Sequence, residues 1–215
     1  MTKEWEKYYS NLEKIPEGIR KPRNYVKEFA KGLKEQNKMD ILDLGCGFGR
    51  HLIYLAEQGF NVKGIDISKE AIEMAETRLR EKGLNAELKQ EDMKDLSFNE
   101  SQFDAVIAIT VIGHATKPDI SKTVNEIHRV LKPEGVFYGN IPSKTDSRYK
   151  TGQAVEEGET YRTREYGYGR GIKEIHSFYT EEELRDLFKE FRDLEIELLK
   201  FKGEEIQSYK IIAKK

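Results

Sequence analysis

A β-type run, Met39–Leu44, carries the acidic residue Asp43 near its end, passes through Gly45-Cys46-Gly47-Phe48-Gly49, and enters a helical pattern through Leu52, Leu55 and Ala56. No other stretch limits the possible folds so strongly. Glycines let a backbone turn sharply and pass close beneath a ligand. The helix that follows presents backbone N–H groups with no partner of their own. Alone, such a loop implies a nucleotide-like ligand and little more. Its spacing is G-x-G-x-G behind an acidic residue, where nicotinamide-binding folds place G-x-G-x-x-G.

The remaining chain repeats the strand-then-helix alternation, which predicts a parallel sheet covered by helices. Helices are predicted over Lys3–Leu12 and through Val26, Phe29 and Leu33, ending near Asn37. Asn61–Ile67 reads as a second strand, with Ser68 capping a helix that carries Ile72, Ala75 and Leu79. Ala86–Gln90 and Phe103–Ile109 read as strands three and four; Ala-Val-Ile-Ala-Ile suits a strand buried on both faces. Asp119 is expected to cap a helix through Ile120, Val124, Ile127 and Leu131, ended by the Lys132–Gly135 turn. Val136–Ile141 is then the fifth strand. From Ser143 to Glu174 no period is sustained and five glycines occur. Thr180 and Glu183 form a capping box. Two last strands, near Leu194–Phe201 and Gln207–Ala213, have no helix between them and are expected to pair antiparallel.

Composition narrows the class of function. With 37 Lys and Arg against 39 Asp and Glu, the chain has no basic excess to serve general nucleic-acid binding. Cys46 is the only cysteine, so an intrachain disulfide or tetrathiolate zinc site is excluded. The N-terminus has no apolar run, and no stretch reaches membrane-spanning length, so a cytoplasmic protein is expected.

Two carboxylates add detail. Asp66 ends the second strand about 20 residues after the glycine loop, where a carboxylate can accept hydrogen bonds from both ribose hydroxyls. Its other available role is capping the next helix. Asp92 follows the third strand at the same sheet edge, where it can accept from an adenine amino group.

With these residues the chain resembles the class I S-adenosylmethionine (AdoMet)-dependent methyltransferases, especially the type 11 and type 25 methyltransferase domains. DLGCGFGRH, GIDIS, EDM, FDAVIAI and EIHRVLKPEGVFYGNIP are similar to five ordered motifs of that family, over Met39 to Pro142. The resemblance implies an α/β Rossmann-like fold, with a seven-stranded, mostly parallel sheet in the order 3-2-1-4-5-7-6. It implies a single domain, 1–215: an N-terminal helical cap (1–37), an AdoMet-binding core (39–142), an acceptor-recognition insertion (143–176), and a C-terminal helix and hairpin (177–215). It places Asp43, Gly45, Cys46 and Gly47 along the methionine moiety, Asp66 and Ile67 at ribose and adenine, Asp92 and Met93 at the adenine edge, and Ile109 near the methionine amino group. Cys46 is read as a small residue beneath the ligand.

Methyl transfer asks for in-line placement and exclusion of water more than for a dedicated catalytic group. His114 and His176 are candidates for a base or a wall of the acceptor pocket. Tyr9, with Trp5 and Tyr8, is a candidate lid. Arg20 and Arg23 could meet the methionine carboxylate or an anionic acceptor. Tyr149 and Tyr179, together with Tyr161, Tyr166, Tyr168, Arg148, Arg162, Arg164 and Arg170, are candidates for acceptor contact. No Asn/Asp-Pro-Pro-Tyr/Phe follows strand four and no Pro-Cys pair exists, which sets aside DNA-amino, glutamine and cytosine-C5 methylation. No clustered ligands mark a zinc site, so no metal is expected. A small-molecule acceptor is expected ahead of a protein side chain or a non-catalytic AdoMet sensor, with no membrane or nucleic-acid partner, in a monomer or homodimer.

Overall fold

The computed structural model describes residues 2–10, 17–155, 160–164, 173–201 and 206–215. The chain begins with α1 (Thr2–Ser10), α2 (Glu17–Arg20) and α3 (Asn24–Glu35), followed by β1 (Asp40–Leu44) and α4 (Arg50–Glu57). β2 (Asn61–Asp66), α5 (Lys69–Glu81), β3 (Glu87–Gln90) and β4 (Phe103–Ala108) come next, then a 3-10 turn (Ile112–His114), α6 (Lys117–Val130) and β5 (Leu131–Pro142). β6 (Gln153–Ala154), β7 (Thr160–Arg164), β8 (Lys173–Ser177), α7 (Glu181–Leu187), β9 (Arg192–Phe201) and β10 (Ile206–Lys214) complete it.

The main sheet runs β3-β2-β1-β4-β5-β10-β9. Counted by its own strands, this is the expected order 3-2-1-4-5-7-6. β3, β2, β1, β4 and β5 pair in parallel, and β10 pairs antiparallel with both β5 and β9. Strands covered on both faces need apolar side chains on both, which is what β1 and β4 supply. Ile41, Ala105 and Ile107 pack toward α3, α4 and α5. Leu42, Val106 and Ala108 pack toward α6 and α7 on the opposite face. The chain thus makes three layers, with a reversal of strand order between β1 and β4 that opens a crevice at their carboxyl ends.

Arg129 explains why the segment before β5 is built as it is. Its guanidinium pairs with Glu126 at 2.7 Å and donates to the carbonyls of Leu96 and Phe98 at 2.9 and 2.8 Å. One side chain therefore ties α6 to the loop leading into β4.

Several boundaries differ from the sequence reading. α6 begins earlier: Thr116, not Asp119, is the cap, its hydroxyl accepting from the Asp119 N–H at 3.4 Å. Pro118 favours this, because its missing N–H costs nothing in a first turn. β5 starts at Leu131, where a Lys132–Gly135 turn was expected, and Glu134 within it takes a left-handed conformation (φ 64°). The first helix ends at Ser10, with Leu12 outside the described residues. The capping box at Thr180 and Glu183 forms as expected.

The largest difference lies in 143–176, read as having no period. It contains a second, antiparallel sheet in the order β6-β7-β8. On β8 the alternating buried positions are Glu174 and His176. Polar residues carry the period-2 pattern there, so a search for alternating hydrophobicity passes over it.

Candidate active site

The crevice at the carboxyl ends of β1, β2 and β4 is a cavity of about 550 Å³. Its floor is the glycine loop. Gly45 and Gly47 adopt φ of 67° and 54°, where only glycine is unstrained. A Cβ at Gly45 would lie 2.5 Å from Val111 Cγ1, and one at Gly47 would lie 2.6 Å from the Tyr9 hydroxyl. The loop is held by the Cys46 N–H donating to the Ile65 carbonyl at 2.8 Å and the Gly47 N–H donating to Asp66 Oδ2 at 2.8 Å.

Asp66 accepts a second N–H, from Ser68, at 3.0 Å on Oδ1. It therefore serves the helix start and still lines the cavity, with acceptor capacity left over because a carboxylate offers about four lone-pair sites. Burial pushes its pKa up to about 6, while the N–H donors of Ser68 and Gly47 pull the other way. Asp43 lies below the lining, 2% exposed, and its Oδ2 has no hydrogen-bond partner among the described residues. Burial pushes its pKa up to about 7, against the opposing pull of Arg50. A buried carboxylate oxygen without a donor, beneath a loop open to ligand, fits a cationic ammonium group. Arg23 and Arg50 line the same end of the cavity and suit a ligand carboxylate.

Further along the sheet edge, Ile67, Asp92 and Met93 line the wall. Asp92 Oδ1 accepts from the Lys94 N–H at 3.2 Å. Beyond β4, Ile109 lines the cavity and Thr110 is held at φ 63°, its N–H donating to Asn140 Oδ1 at 2.8 Å. Cys46 is buried and its thiol pKa is pushed up by burial, with Asp43 and Asp66 adding to it.

The other end of the cavity is imidazole-rich. His114, in the 3-10 turn, and His176, on β8, have ring centroids 4.6 Å apart. Glu174 Oε2 lies 3.4 Å from His114 Nδ1. Burial lowers the His114 pKa to about 4, helped by Arg148, and lowers that of His176 well below its usual value. Both rings are neutral at pH 7. The Arg148 Nη1 lies 3.2 Å from His176 Nε2 and its Nε pairs with Asp146 Oδ1 at 2.8 Å.

α1 lies across this chamber. Trp5, Tyr8 and Tyr9 all line it, and the Trp5 ring meets the His114 ring edge-on at 5.0 Å. Glu6 fastens the helix: its carboxylate accepts from the Ser68 hydroxyl at 3.0 Å and from the Lys69 N–H at 2.9 Å, at the N-terminus of α5.

The structure thus brings Gly45, Cys46, Gly47, Asp66, Ile67, Asp92, Met93, Ile109, Tyr9, His114 and His176 to one cavity. Three candidates lie elsewhere. Arg20 is exposed and is not among the residues that line the cavity. Tyr149 packs against Tyr161 and Phe178. Tyr179 is a core residue with Lys117 over its ring. Tyr166, Tyr168 and Arg170 lie outside the described residues. Arg148, read with the acceptor stretch, lines the cavity, whereas Glu174 and Asn140 had no sequence signal, because each is brought in by pairing distant in the chain.

A family model described as a methyltransferase domain matches residues 41–135. The putative methyltransferase YqeM of Bacillus subtilis is 39% identical over 105 residues, covering 48% of this chain and 42% of that protein. The ubiquinone biosynthesis O-methyltransferase of Rickettsia conorii is 28% identical, covering 82% of this chain and 57% of its own. The chain therefore spans about half the length of these curated relatives. A solved SAM-dependent methyltransferase from Methanosarcina mazei is 30% identical, with a TM-score of 0.71, and the match covers 91% of this chain and 98% of that one. The chain belongs to the SAM-dependent methyltransferases. Family membership agrees with a cavity whose floor is a glycine loop and whose lining includes Asp66 and Asp92. No helix among the described residues is long and apolar enough to cross a membrane.

Proposed function

We propose that the protein transfers the methyl group of AdoMet to a small-molecule acceptor enclosed beneath α1. One observation carries this reading: the glycine loop with Asp66, and the buried His114 and His176, line a single chamber covered by α1. AdoMet supplies a sulfonium-bound methyl group, electrophilic without further activation. Asp66 binds the ribose hydroxyls; Asp43 compensates the ammonium; Arg23 and Arg50 take the carboxylate. Trp5, Tyr8 and Tyr9 exclude water, which strengthens the electrostatic contacts inside. His114 and His176 present neutral imidazoles that orient an acceptor hydroxyl or thiol. The enclosure favours a small molecule over a protein side chain, and the name of the Rickettsia conorii relative supports an oxygen acceptor.

The test is radiolabelled methyl release from AdoMet across panels of phenols, thiols, amines and peptides. Turnover is expected on at least one phenol or thiol. Turnover confined to peptides, or tight AdoMet binding with no turnover on any acceptor, would replace this reading.

Binding should also move protons. Asp43 and Asp66 have folded-state pKa values of about 7 and about 6, above the unfolded range. Their contribution to stability is therefore complete below about pH 4 and is lost as pH rises through 6 and 7. A cationic ligand favours the carboxylate form, so AdoMet binding near pH 6 is expected to release about one proton. Calorimetry in two buffers of different ionisation enthalpy measures it. A buffer-independent heat at pH 6 would show that neither carboxylate changes its charge on binding.

A further inference from the structure

We infer that His114, Glu174 and His176 form a binding site for one divalent transition metal of the zinc class, with the acceptor's hydroxyl or thiol completing the coordination. This rests on the methyltransferase reading for its chemistry and on side-chain geometry for its existence. Each of the three residues offers a ligand atom, and these atoms lie within 4.8 Å of one another. His114 Nδ1 and Glu174 Oε2 are 3.4 Å apart. Two ligands at about 2.1 Å from a tetrahedral zinc ion are themselves about 3.4 Å apart. All three side chains are buried, so the groups are already removed from competing water.

The elements that carry them are fixed against each other. Glu174 and His176 sit two residues apart on β8 and so face the same side. The Ser177 hydroxyl donates to the Ala115 carbonyl at 2.6 Å, binding β8 to the residue after His114. The ligand set, two imidazoles and one carboxylate, suits zinc and other first-row divalent ions. Three protein ligands with a face open to a cavity is the arrangement of a metal that also holds substrate. His114 and His176 provide that face, since both line the chamber. Arg148, the neighbouring cation, has its charge offset by Asp146 through 2.8 and 2.9 Å bonds. It sits 3.2 Å from His176 Nε2 and yields that nitrogen when metal enters.

The site narrows the acceptor class to molecules that ionise on a metal: a phenol, catechol or thiol. The acceptor loses its O–H or S–H proton to buffer, and the freed electron pair forms the bond to the methyl carbon. The carbon–sulfur pair returns to the sulfonium sulfur, giving a neutral thioether. The metal keeps its oxidation state and lowers the acceptor's pKa.

Tag-free protein, stripped with chelator, is titrated with zinc against a chromophoric competitor and with cobalt(II) in the visible region. One zinc per chain is expected, with cobalt absorption of a four- or five-coordinate nitrogen–oxygen site. Glu174→Gln and His176→Gln should each weaken zinc binding by at least about tenfold. Calorimetry with S-adenosylhomocysteine reports whether each variant keeps a folded donor site. Absence of stoichiometric zinc in the wild-type chain overturns the inference, as does undiminished zinc binding in Glu174→Gln. Failure of the wild-type chain to bind S-adenosylhomocysteine would instead sink the methyltransferase reading, and the zinc result would stand apart from it.

Discussion

Asp66→Ala is expected to weaken S-adenosylhomocysteine binding about 100-fold. The carboxylate lines the cavity and holds the Gly47 and Ser68 N–H groups at 2.8 and 3.0 Å, leaving lone pairs for two ribose hydroxyls. Hydrogen bonds to a charged group are each worth about 1.5–3 kcal/mol, so losing two costs about 3 kcal/mol. That converts to about 100-fold in Kd. Asp66→Asn keeps one acceptor oxygen and should fall between the variant and wild type. Isothermal calorimetry reads both; affinity within about threefold of wild type for Asp66→Ala would show that the ribose lies elsewhere.

Gly45→Ala should be nearly as damaging, for a different reason. Gly45 has φ 67°, and a Cβ there would lie 2.5 Å from Val111 Cγ1. A non-glycine residue in the left-handed region costs about 1–3 kcal/mol before any clash is counted. The loop must then shift, and a shifted floor loses ligand contact, so a fall in affinity of at least about tenfold is expected with a lower melting temperature. Trimming the opposing side chain separates the two causes. The double variant Gly45→Ala, Val111→Ala should recover the steric part and keep the backbone part. Recovery of full wild-type affinity would show that the backbone conformation costs nothing there; no recovery would show that Val111 is not the obstacle.

Local sequence carries information about local structure, and this chain shows where that ends. β1, the glycine loop and α4 were readable because apolar runs, glycines and helical spacing are encoded within ten residues. Asp66 was readable as a residue of the cavity, but its bond to the Gly47 N–H across 19 positions was not. The start of α6 was misplaced because Thr116 and Asp119 are both good caps, and only the position of Pro118 in the first turn separates them. The second sheet was missed for a stronger reason. β8 buries Glu174 and His176 where strands usually bury Val or Ile, so its alternation is chemical rather than hydrophobic. The same reversal hid the cluster they form with His114, about 60 residues away. Tyr149 and Tyr179 looked like acceptor contacts from their place in the chain, yet Tyr149 packs against Phe178 and Tyr179 lies in the core beneath Lys117.

The clasp between Glu6 and the first turn of α5 has a consequence for timing. While it holds, Tyr9 stands over Gly47 and Trp5 against His114, so one helix spans the floor and the far wall. On the proposed reading, molecules are expected to pass when the clasp opens, and the interior to be driest when it is closed. Exchange and reaction are then expected to alternate, with one short helix setting which of the two proceeds.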